Sequence, residues 1–192
     1  MRKRFLALSL LVFWVGLTPL AFGQSLEQTK AKAEQGDVAA QCVLGALYAK
    51  GDKVAQDWDQ AKAWFEKAAT QGYAKAQKNL GVMYLKGLGV KKDFAQAKSW
   101  FEKAAAQGNA AAQFSLGFMY AQGDGVKQDW ARAKTWLEKA AAKGNAQAQL
   151  LLGMMYAKGQ GVKKDPARAM VLLEKAAKQG QNQAKEMMKN LK

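Results

Sequence analysis

Residues 74–109 read AKAQKNLGVMYLKGLGVKKDFAQAKSWFEKAAAQGN, and the same pattern stands 36 residues before them and again 36 and 72 residues after. The small and capping residues carry it. Gly36, Gly72, Gly108, Gly144 and Gly180 share the 36-residue spacing. So do Gly45, Gly81, Gly117 and Gly153, and Gly51, Gly87, Gly123 and Gly159. Tyr48, Tyr84, Tyr120 and Tyr156 keep step, as do Asp57, Asp93, Asp129 and Asp165. A fixed period of about 20 to 50 residues marks a solenoid, whose units bury their apolar faces against one another rather than alone. Four units follow without insertion: 38–73, 74–109, 110–145 and 146–181.

Each unit predicts a helix–turn–helix. In the first, Ala40, Leu44, Leu47 and Tyr48 are spaced to share one face of a helix. Gly51 ends it, because glycine adopts the left-handed conformation after a helix without a Cβ penalty. Asp57 then caps the second helix. Ala61, Trp64, Phe65, Ala68 and Ala69 again lie on one face, and Gly72 follows. Pro166 comes directly after the cap in the fourth unit, where a missing N–H costs nothing. Residues 24–37 and 182–192 are expected to be an N-terminal half-repeat and a polar C-terminal cap helix.

Composition narrows the chemistry. The chain has 192 residues, 49% of them hydrophobic, only two prolines, and no histidine. Histidine triads and the HExxH zinc motif are therefore absent. A single cysteine, Cys42, allows neither an intrachain disulfide nor a CxxC site. It reads as a small buried hydrophobe, with an intermolecular disulfide as the lesser alternative. No cofactor, metal site or nucleic-acid motif is expected.

The N-terminus has the layout of a secretory signal. Arg2, Lys3 and Arg4 precede an apolar run from Phe5 to Leu17, and Ala21-Phe22-Gly23 supplies small residues before a cut. Cleavage after Gly23 is expected, with an uncleaved anchor as the alternative. The formal charge of +15 falls to +12 without that segment. On an exported chain such charge meets anionic lipid, polysaccharide or acidic protein.

The run Ala-Gln-x-x-Leu-Gly-x-Met-Tyr-x-x-Gly-x-Gly-Val-x-x-Asp, followed by Ala-x-x-Trp-Phe-Glu-Lys-Ala-Ala-x-Gln-Gly, resembles the Sel-one-like repeat, an α/α repeat related to the tetratricopeptide repeats. The best match spans Ala76 to Gly108, and the resemblance covers 38–181. It implies an all-α, right-handed superhelical solenoid that binds proteins or peptides, as an envelope adaptor, an immunity-type protein or a secreted host-interacting factor. Two departures stand out. Lys53 replaces the glycine found at 89, 125 and 161, which predicts a different first loop. Leu172 replaces the tryptophan of the other units, which predicts a less bulky fourth core. Cysteine-rich secreted relatives described as β-lactamase-like make an enzyme the alternative. Here, however, the paired cysteines are missing and no Ser-x-x-Lys motif occurs.

Two surfaces are candidates. Opposite the expected core face of each first helix lie positions 42, 46 and 49 and their equivalents. Lys78, Val82, Leu85, Phe114, Phe118, Leu150 and Met154 fall there and predict an apolar partner-binding groove, since exposed apolar patches mark interaction sites. The recurring tryptophans and Met83, Met119 and Met155 read as core. The loops before the capping aspartates carry Lys91, Lys92, Lys127, Lys163 and Lys164. These form a basic edge suited to an anionic lipid or polysaccharide surface. Net charge by unit is 0, +5, +2 and +4.

Overall fold

The computed structural model describes residues 25–191, and the expected signal segment lies outside them. Ten helices follow one another: α1 (Leu26–Glu34), α2 (Val38–Lys50), α3 (Trp58–Thr70), α4 (Ala74–Lys86), α5 (Phe94–Ala106), α6 (Ala110–Gln122), α7 (Trp130–Ala142), α8 (Ala146–Lys158), α9 (Pro166–Lys178) and α10 (Asn182–Lys189). They form an all-α solenoid, with no strand among the described residues. The helices of each unit pack against one another, and each second helix packs on the first helix of the next unit.

Recurring residues fix both ends of these helices. Gly51, Gly87, Gly123 and Gly159 close α2, α4, α6 and α8 in the left-handed conformation. Each aspartate at 57, 93, 129 and 165 accepts a backbone N–H from three residues on, capping the second helix. The same aspartates donate their own N–H groups to the carbonyls of Tyr48, Tyr84, Tyr120 and Tyr156, which pins each interhelix loop.

Lys53 does not alter that loop. It takes φ +63°, beside +64° at Gly89 and +67° at Gly125 and Gly161. Glycine is required at 89, 125 and 161 for a second reason: a Cβ there would overlap Trp58, Phe94 or Trp130 of the preceding unit. The repeat equivalent of those bulky residues in front of Lys53 is position 22, outside the described residues. Lys53 bears at least the backbone cost of a left-handed residue, about 1–2 kcal/mol.

Within each unit the two helices meet at a glycine. A Cβ on Gly45 would lie 2.8 Å from the Phe65 ring, and one on Gly81 2.5 Å from Phe101. At Gly117 and Gly153 the obstacles are Leu137 and Leu173, at 2.7 and 2.8 Å. Leu44, Leu80, Leu116 and Leu152 are buried beside these contacts with Met83, Met119 and Met155. The tryptophans depart from expectation, for Trp64, Trp100 and Trp136 are half-buried. Successive first helices touch, α4 with α6 and α6 with α8, but successive second helices do not approach as closely. Each indole fills the resulting wedge with one face inward, while Lys67, Lys103 and Lys139 lie over the rings at 4.0, 4.3 and 4.5 Å.

Four buried glutamines, Gln41, Gln77, Gln113 and Gln149, join the units. Each donates its amide to a carbonyl at the end of the preceding second helix: Ala33, Ala69, Ala105 and Ala141. Gln71, Gln107 and Gln179 donate in turn to the side-chain oxygens of Gln41, Gln77 and Gln149. In the third unit Lys143 stands at that position and donates to the Gly108 carbonyl instead. The Gln113 side-chain oxygen is left buried without a partner.

Two outcomes follow from these contacts. Gly117→Leu should cost about 3 kcal/mol by overpacking against Leu137. Gly117→Ala should cost less, about 1 kcal/mol, because its helix propensity offsets part of the clash. Urea denaturation measures both, and two neutral variants would contradict the close-contact argument. Lys143→Gln should raise stability by about 1 kcal/mol by giving the Gln113 oxygen a donor; an unchanged or lower denaturation midpoint would count against the glutamine bridge.

Candidate functional site: the first-helix face

The outward face of the first helices is rotated from the one expected. Exposure centres on positions 39, 43, 46 and 50 and their equivalents. Cys42, Ala121 and Ala157 are buried instead, because that flank of each helix turns toward the next unit. The structure thus corrects the expected wet surface at Cys42, Ala121 and Ala157, while Lys78, Phe114, Leu150, Ala49 and Leu85 at equivalent positions are half-buried. Position 46 and its equivalents, Ala46, Val82, Phe118 and Met154, do reach the surface.

Phe118 is 36% exposed, and its ring centroid lies 6.0 Å from that of Phe114, tilted by 40°. Phe114 is half-buried against the core shared by the third and fourth units. Val82 and Leu85 rest on the core around Phe101 and Leu116, while Leu150 rests on the one around Leu173 and Ala176. Phe118 therefore projects from a seat that its neighbours fill. Val43, 50% exposed, lies on the same helix face in the first unit. Its row continues through Asn79, Ser115 and Leu151. Val43 is not among the outward positions the sequence pattern predicts, because the exposed face is rotated by about one position from that pattern.

Lys78 and Val82 line a shallow cleft of about 200 Å³ with Ala46, Ala49 and Trp58 between the first two units. The half-buried Lys78 ammonium donates to the Asn79 side-chain oxygen, and loss of water lowers its pKa. The Asn79 amide donates to Cys42 Sγ at 3.8 Å. Burial raises the Cys42 pKa, with Lys78 and Lys75 opposing, and the residue is only 7% exposed. A buried thiol held protonated is inert, so these observations favour the small-hydrophobe reading of Cys42 over an intermolecular disulfide.

The loop lysines Lys91, Lys92, Lys127, Lys163 and Lys164 are all exposed. Lys163 and Lys164 share a polar cleft of about 610 Å³ with Lys134, Arg168 and Asp165. Lys127 shares one of about 600 Å³ with Lys98, Arg132 and Asp129. The loop pattern does not show the four helix-borne cations: Arg132 and Arg168 come from the first turn after each loop, and Lys98 and Lys134 from the second helix of the preceding unit. They do not add undiluted charge. Arg132 and Arg168 pair with the capping aspartates at 3.3 and 3.4 Å, and Lys98 and Lys134 pair with Glu102 and Glu138. Lys92 lies over the Phe94 ring at 4.4 Å.

The chain was compared with known proteins. It is 42% identical over 69 residues to the secretory immunoglobulin A-binding protein EsiB of Escherichia coli O6:H1, a match that covers 35% of this chain and 14% of that protein. Among solved structures it resembles c5321, a protective antigen of uropathogenic Escherichia coli with an SLR fold. There the TM-score is 0.81 at 41% identity, over 86% of this chain and 35% of the other. A Sel1 repeat protein from Oxalobacter formigenes matches with a TM-score of 0.79 at 37% identity, over 82% of this chain and 64% of the other. The chain thus spans less than two thirds of the length of each. The Sel1 repeat model matches residues 38–73, 74–109, 110–145 and 146–181. With its 36-residue register, capped helix pairs and SLR-fold neighbours, the chain belongs to the Sel1 repeat family.

Proposed function

We propose that this protein is a non-catalytic scaffold of the bacterial envelope or exterior that holds a protein segment along its first-helix face. The groove centres on Phe114 and Phe118, with Val82 and Leu85 on one side and Leu150 and Met154 on the other. The observation that carries this reading is Phe118. It is a large aromatic left exposed where the periodic pattern buries most other large apolar side chains, beside a second ring and among aliphatic neighbours. Such clusters dominate the energetics of interfaces. The names of the relatives support the same direction, one an immunoglobulin-binding protein and the other a protective antigen. The basic start and apolar run of residues 1–23 support export. A non-catalytic role is supported by the absence of histidine. It is also supported by the number of carboxylates used as helix caps or partners of neighbouring cations.

A second reading assigns the loop edge to an anionic lipid or polysaccharide surface. It rests on the gathering of Lys163, Lys164, Lys134 and Arg168 around one cleft. Binding to anionic vesicles that weakens with added salt would support it.

Stability separates the two phenylalanines before a partner is known. Phe118→Ala should cost less than about 1 kcal/mol, whereas Phe114→Ala, half-buried against the core, should cost about 2 kcal/mol. An equal, large loss in both would place Phe118 in the core and remove the groove. Binding is tested with a photo-crosslinking phenylalanine at position 118, and at exposed Ala63 on a second helix as control, in envelope extract. Adducts concentrated at 118 are expected. For the partner so identified, Phe118→Ala should weaken affinity about thirtyfold, roughly 2 kcal/mol. Adducts equal at both sites, or an unchanged affinity, would refute the groove.

A further inference from the structure

In three units the wedge between successive second helices is filled by an indole from the chain itself. Trp64 packs on the cluster that contains Ala33 and Leu44. Trp100 packs on the one that contains Ala69 and Leu80, and Trp136 on the one that contains Ala105 and Leu116. An ammonium covers each ring from one turn further along, at 4.0 to 4.5 Å. The fourth unit keeps the surroundings and lacks the ring. Ala141 and Leu152 stand at the positions of Ala105 and Leu116, Lys175 stands at that of Lys139, and the residue between them is Leu172.

A cleft of about 520 Å³ opens at that place, lined by Ala141, Leu152, Tyr156, Val171, Leu172 and Lys175. Its size is that of a small-ligand site. Tyr156 forms part of the wall and is itself held by Arg168, whose guanidinium lies 5.7 Å from the ring and donates to its hydroxyl at 3.4 Å. Val171, 53% exposed, extends the apolar surface to the rim.

We propose that this cleft binds an indole ring, the side chain of a tryptophan on a partner polypeptide, in place of the one that the other units supply internally. The apolar floor takes the ring, and Lys175 is placed to lie over its face as Lys67, Lys103 and Lys139 lie over theirs. Glu138 and Arg168 line the same cleft. They offer an acceptor and further donors, which the backbone flanking a tryptophan needs and a free indole does not. The cleft shares no residue with the Phe118 groove, so either can fail without the other.

Fluorine NMR on the whole protein tests this with two probes, 5-fluoroindole and a blocked Ala-(5-fluoro-Trp)-Ala peptide. Both should show a saturable shift, the peptide binding at least tenfold tighter. Leu172→Trp, which restores the internal ring, should raise Tm and abolish both shifts. Lys175→Met should weaken both probes about two- to fivefold, the size of an exposed cation–π contact. Should Leu172→Trp misfold, methyl spectra of the unaltered protein decide the matter: the Leu152, Val171 and Leu172 methyls should move with probe while those of Leu80 and Leu116 stay fixed. No saturable shift at millimolar probe, binding that survives in folded Leu172→Trp, or methyls of the cleft that do not move would overturn the proposal. Binding of 5-fluoroindole without tighter binding of the peptide would overturn the polypeptide source.

Discussion

The two helices of each unit touch at a residue with no side chain, and the rest of the architecture depends on that contact. With Gly45, Gly81, Gly117 and Gly153 against Phe65, Phe101, Leu137 and Leu173, the helices sit closer than any Cβ would permit. Close approach lets a leucine and, in three units, a methionine close the core of a 36-residue unit. A glycine inside a helix costs about 1 kcal/mol against alanine, which the packing offsets. The interhelix loop can then be short, because the helix ends it joins are already near each other. A hydrogen bond from the capping aspartate N–H to the tyrosine carbonyl recurs in every one of these loops and helps to set its shape.

Stacking the units raises a different problem. First helices meet along the array and second helices splay, so the second-helix side has gaps to fill. The buried glutamines tie each second helix to the first helix of the next unit, giving a second donor to helix-end carbonyls that already accept a glycine N–H. The tryptophans fill the gaps. Their half-burial follows from this role: a wedge needs bulk at its base and tolerates solvent at its mouth, where lysine stems and charges cover the ring.

Much of this was legible in the sequence, because a repeat states each constraint several times. Aspartate caps, terminal glycines and the helix-interior glycines each recur in four copies and carry one physical meaning. The errors arose where that meaning depends on a neighbouring unit. Cys42 and Ala121 look outward on a single helix and are buried only once the next unit is stacked. Lys53 looked like a change of loop, yet the loop is held by the Asp57–Tyr48 hydrogen bond and lysine can adopt its conformation at a cost. The glutamines recur as regularly as the glycines. Their role depended on which carbonyls the stacking would bury, so periodicity alone marked them without explaining them. The basic edge was visible in the loops, but Lys98 and Lys134 reach it from the preceding unit, about 29 residues earlier in the chain.

The register from 38 to 181 runs without an insertion, so the junctions between units repeat one another's geometry. A segment of one whole period, cut at equivalent positions, begins and ends with surfaces that fit each other. Array length is therefore a quantity that unequal recombination can change in steps of 36 residues without inventing a new interface. What such a step cannot copy freely is the irregular unit. The repeat with Leu172 differs from its three fellows, and duplication or loss there would change the surface chemistry of the array as well as its reach.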